Sequence, residues 1–67
     1  MNDFILNGER RGLAAATSVA QLLDDMGYAG KRVAVEKNGE IVPRSRHAET
    51  RVEQDDRIEI VVAVGGG

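Results

Sequence analysis

The residues most suggestive of chemistry are three consecutive glycines, Gly65, Gly66 and Gly67. Glycine makes up about 7% of average sequences, so three at a chosen place arise by chance roughly three times in ten thousand. A segment without Cβ atoms accepts most backbone dihedrals and can thread a cleft that any side chain would block. Three extended residues reach about 10 Å. The carboxylate of Gly67 then becomes an unhindered acyl group on a flexible arm. A carboxylate is a poor electrophile until it carries a leaving group. ATP can provide one by forming an acyl-adenylate, from which a sulfur nucleophile can displace AMP and leave a thiocarboxylate. The chain holds no phosphate loop and no cysteine, so a partner must perform the activation. The expectation is a protein cosubstrate with no catalytic residue and no bound cofactor, ATP being used by the partner. The plain alternative is a frayed end without function.

Other reactive side chains have more ordinary explanations. His47 is the single histidine; without a second histidine or a cysteine it makes a poor metal site, so no metal is expected. Its polar neighbours suggest a half-buried loop residue. Asp24 and Asp25 are adjacent and, on a helix, do not face each other, which makes them a solvated face. Asp55-Asp56 suits a turn. Arg10-Arg11 and the arginines at 44 and 46 could steer acidic partners but fit a solvated surface as well.

Sixty-seven residues make one domain. A chain this short buries only about 60% of its unfolded surface and has little room for a deep pocket beside a core. A net charge of −2 and only two aromatic residues, Phe4 and Tyr28, argue against a nucleic-acid partner. No apolar run is long enough to span a bilayer, and residues 1–6 lack a signal-peptide layout. Without cysteines the chain suits a reducing compartment. The expectations are a cytoplasmic protein, monomeric when free, with no membrane partner.

The elements that must position the glycines can be read in order. Phe4-Ile5-Leu6 followed by Asn7-Gly8 reads as a strand entering a tight hairpin, with Glu9 to Ala14 a poor returning strand. Ser18 and Gln21 form a capping box. Val19, Leu22, Leu23 and Met26 share one helical face, and Gly27 ends the helix. Val33 to Glu36, Asn38-Gly39 and Glu40-Ile41-Val42 make a second hairpin, and pairing stops at Pro43. Arg44 to Arg51 reads as a loop with room for one helical turn. Ile58, Ile60, Val62 and Val64 alternate with Glu59, Val61 and Ala63, the pattern of a central strand. Together these give an α+β fold, a mixed four- to five-stranded sheet packed on one main helix. Residues 1–64 form the domain and residues 65–67 a flexible tail.

Five stretches in this order resemble the thiamine-biosynthetic sulfur carriers, β-grasp relatives of ubiquitin. They are Thr17-Ser18-Val19-Ala20-Gln21-Leu22-Leu23, Val33-Ala34-Val35-Glu36-Lys37-Asn38-Gly39, Ile41-Val42-Pro43-Arg44-Ser45, Asp56-Arg57-Ile58-Glu59-Ile60-Val61 and Gly65-Gly66-Gly67. The resemblance covers nearly the whole chain and implies a ubiquitin-like β-grasp fold. It implies that an E1-like adenylyltransferase activates Gly67, that sulfur from a donor such as a cysteine desulfurase is installed as a thiocarboxylate, and that thiazole synthase receives it. Gly66 and Gly67 match the family's diglycine, with Gly67 bearing the sulfur; Gly65 precedes them and helps the tail thread into the partner. Two positions depart from the family pattern: His47 stands where a bulky aromatic is common, and Asp55-Asp56 where Gly-Asp is usual.

If Ile58, Ile60, Val62 and Val64 meet the helix, Val61 and Ala63 face outward. With Ile5 they form a candidate contact patch on the face through which ubiquitin-like proteins engage partners. Rival readings are the small subunit of molybdopterin synthase, a ubiquitin-like modifier joined to lysines, and an interaction module whose tail is idle.

Overall fold

The computed structural model describes residues 2–14 and 17–63. Its five strands are β1 (Asp3–Leu6), β2 (Glu9–Gly12), β3 (Val33–Lys37), β4 (Glu40–Val42) and β5 (Arg57–Val62); one helix, α1 (Val19–Asp25), lies between β2 and β3, and a 3₁₀ turn (Arg44–Arg46) follows β4. The sheet order is β2-β1-β5-β3-β4. β5 therefore lies at the centre, parallel to β1 and antiparallel to β3. Sequence reasoning put the last strand there because its alternation is the most regular in the chain.

Both Asn-Gly pairs form the expected turns. Asn7 and Gly8 have φ of 49° and 84°, and Asn38 and Gly39 have 53° and 86°, the positive pair that matches the twist of a two-residue hairpin. Asn7 also ties the hairpin to the sheet, because its side-chain oxygen accepts from the Ile60 N–H at 2.8 Å.

Helix α1 is short, and its ends are held by specific partners. The N–H groups of Val19 and Ala20 donate to the carbonyls of Thr50 (2.8 Å) and His47 (3.0 Å), and Ser18 Oγ accepts from Gln21 N–H at 3.0 Å. The donors that a helix start leaves unpaired are thereby satisfied. Only half of the expected capping box forms: the Gln21 side chain reaches forward to Asp25 (3.0 Å) and not back to Ser18. At the other end, Tyr28 N–H donates to Leu23 O and Gly27 N–H to Asp24 O, with Gly27 at φ 78°. This pair of bonds around a left-handed glycine is the Schellman closure.

Val19, Leu22 and Leu23 press against Phe4, Leu6, Val35, Ile58 and Ile60, with Met26 half-buried beside them. Val19 and Ile58 have no exposed surface. The core is thus one helix face against one sheet face, and the other sheet face stays open.

Candidate functional site

The functional reading depends on how firmly β5 carries the chain toward its glycines. Ile5 N–H donates to Asp56 O (2.8 Å) and Asn7 N–H to Ile58 O (2.9 Å) on one side of the strand. On the other side Val33 through Lys37 pair with Val62 back through Ile58. Ala63 N–H still donates to Arg32 O at 2.9 Å, so the backbone remains held one residue past the strand. Val64, Gly65, Gly66 and Gly67 lie outside the described residues, and with them the expected tail and the site assigned to Gly67.

The turn before β5 is built from carboxylates. Asp55 takes the left-handed region at φ 65°, which aspartate visits more readily than most residues. Asp56 is buried; its Oδ1 accepts from Asn38 Nδ2 (2.9 Å) and its Oδ2 from Glu53 N–H (2.8 Å), with Lys37 Nζ 3.4 Å away. Burial alone would raise its pKa, but those hydrogen bonds and the lysine charge outweigh burial and hold the carboxyl below its ordinary value. This pair is turn architecture, and it fixes where β5 begins.

His47 is more buried than the half-buried loop residue expected, at 7% exposure. Its Nε2 donates to Val42 O at 3.1 Å and so staples the 3₁₀ segment to β4. Polar neighbours in sequence misled here, because the burial comes from α1 and β4 packing over the loop. Asp24 and Asp25 are exposed, and Arg10 pairs with Asp3 at 2.8 Å on the surface. Among the described residues no group of three or more His, Asp or Glu side chains could hold a metal ion. Among the same residues no helix is long and apolar enough to cross a membrane.

On the open sheet face Val61 is 64% exposed and lies beside Ala34. Ala63 is exposed and Ile5 half-buried. Ile5 sits level with Arg57, four residues down β5 from Val61, so Glu59 stands between the two ends of the expected patch. Sequence reasoning passed over Ile41, which is 66% exposed on the same face and paired with Glu36, itself opposite Glu59. Its signal was the inward Val42 next to it, since neighbours in a strand point to opposite faces.

The profile of the ThiS family matches residues 4–67. The chain belongs to the ThiS family. A crystal structure of the thiamine biosynthesis protein ThiS from Geobacter metallireducens is 31% identical, with a TM-score of 0.81 over 97% of this chain and 99% of that one. The five-stranded β-grasp sheet with one helix is thus the ThiS fold. The chain is also 44% identical over 63 residues to a thiazole synthase of Paramagnetospirillum magneticum and 40% identical over 62 residues to one of Magnetococcus marinus. It spans 19% of the length of each of these two relatives.

Proposed function

We propose that this ThiS-family chain carries sulfur on the carboxyl of Gly67. An E1-like adenylyltransferase forms the Gly67 acyl-adenylate from ATP, releasing pyrophosphate. A sulfur nucleophile supplied by a desulfurase attacks the acyl carbon and expels AMP. When that nucleophile is the outer sulfur of a donor persulfide, a second thiol then attacks the donor's sulfur, forms a disulfide with it and expels the thiocarboxylate, which passes sulfur to thiazole synthase. Gly65 and Gly66 let the arm enter each partner's cleft without side-chain collisions.

The observation that carries this reading is the extent of the family match, residues 4–67, which takes in all three glycines. The thiamine branch is favoured over the molybdopterin branch because the similar proteins are thiazole synthases and the matching crystal structure is that of a thiamine biosynthesis protein. The chain's own part is mechanical. β5, paired on both edges, delivers the arm from a fixed point at Ala63.

The test is an intact mass taken after incubation with ATP, Mg²⁺, the cognate adenylating enzyme and a sulfur source. Replacement of one oxygen by sulfur at Gly67 is the expected result. Conjugates to other proteins would favour the modifier, and an unchanged mass with an active adenylating enzyme would remove the carrier reading. The mass of the native gene product shows whether Gly67 is its terminal residue, which the mechanism requires.

A further inference from the structure

A cleft of about 390 Å³ opens on the helix side of the sheet, between α1, the loop that follows it and the 3₁₀ segment. Its floor is formed by Leu23, Tyr28 and His47, and its rim carries Lys31, Arg32 and Arg44. All three cations are exposed, and no acidic side chain lines the cleft. Among the described residues none of the three makes an ion pair. The chain as a whole has 11 acids against 9 bases, so three uncompensated cations around one opening run against its overall charge.

The position of the cleft relates this charge to the tail. Arg32 on its rim accepts from Ala63 N–H at 2.9 Å. The strand that leads to the glycines therefore ends beside this rim, and an enzyme that draws in the glycines approaches it. We propose that the cleft seats an acidic segment of thiazole synthase, next to the opening through which that enzyme takes the tail. This rests on the carrier reading above. A free phosphate would satisfy the cations but leave the apolar floor uncovered. A Glu or Asp flanked by apolar side chains satisfies both, and like charges gathered at a rim steer a complementary surface during encounter.

The test compares the wild-type chain with Lys31→Glu, Arg32→Glu and Arg44→Glu, singly and combined, in calorimetric titrations against the cognate thiazole synthase at low and physiological salt. Arg11→Glu, on the far edge of the sheet, is the control. Thermal unfolding checks that each variant folds; the matching alanine variants replace any that do not. Each single reversal is expected to weaken binding about fivefold and the triple about a hundredfold, with Arg11→Glu unchanged. Wild-type affinity should fall with salt more steeply than that of the triple variant. A triple variant that binds as tightly as wild type would overturn the proposal while leaving thiocarboxylate formation, read separately by intact mass, untouched. Phosphate-induced NMR shifts at Arg32 and Arg44 in chains whose synthase affinity is unaffected by the reversals would also overturn it, identifying a small-anion site.

Discussion

Asp56 shows how one side chain can fix the start of a functional strand. It accepts from the Asn38 side chain and the Glu53 backbone and faces Lys37, so it joins the β3–β4 turn to the turn before β5. Its carboxyl is held below the ordinary value, and the sign of the pH effect follows. The unfolded chain binds this proton more readily than the folded one, so the contribution is fully present above the ordinary carboxylate range, near about 4, and is lost as pH falls through the lower folded value. Asp56→Asn presents an amide donor where a second acceptor is needed. It is expected to cost about 1–3 kcal/mol in urea denaturation at neutral pH. The stability difference from wild type should shrink when the denaturation is repeated near about pH 3. An equal difference at both pH values would show that the charge of Asp56 contributes nothing.

At the scale of elements, α1 depends on its ends because seven residues are too few to be stable alone. Ser18→Ala removes the bond to Gln21 N–H and should cost about 1 kcal/mol. Gly27→Ala should cost about 1–2 kcal/mol from backbone strain alone, since φ is 78° and a Cβ there meets nothing within 4 Å. Thermal melts of the two variants check both figures, and additivity of the pair would show the two caps acting independently. These caps were legible in the sequence because they are local: Ser18, Gly27 and both Asn-Gly turns are set by residues within four positions. The centre of the sheet was legible too, because apolar alternation in β5 has no competing period. What the sequence hid is long-range. The Asn7 side chain on Ile60 N–H, the antiparallel bridge of Ser18 with Arg51 and the Ala20 N–H on His47 O all join distant residues. The rim of Lys31, Arg32 and Arg44 was hidden for the same reason, since twelve positions separate its last two members until α1 and the 3₁₀ turn close the cleft.

The whole molecule offers two different surfaces from one strand end. Val33, on the helix side, lines the basic cleft, while Val61, paired opposite Ala34, points to the open side. At this end of the open side Val61, Ile41 and Ala34 surround the facing pair Glu36 and Glu59, with Arg57 two residues further back along β5. Like charges directly opposite each other in a sheet repel, so a partner that covers this face gains by bringing a cation between apolar contacts. Val61→Asp adds a third negative charge there and removes an apolar contact. Because Val61 is 64% exposed, its melting curve should stay close to wild type, with a change within about 0.5 kcal/mol. Affinity for a partner docked on this side should fall about tenfold or more. Calorimetric titrations of Val61→Asp against the adenylating enzyme and thiazole synthase decide whether the face is used at all; unchanged affinity for both would dismiss it. Combining Val61→Asp with Arg32→Glu extends the question to geometry. If one enzyme grips both sides of the strand end, both substitutions weaken its binding and their effects add, because the side chains lie on opposite faces and share no contact. If the two partners divide the faces between them, each substitution weakens one titration and spares the other, and the strand end hands the same tail to two enzymes by different sides.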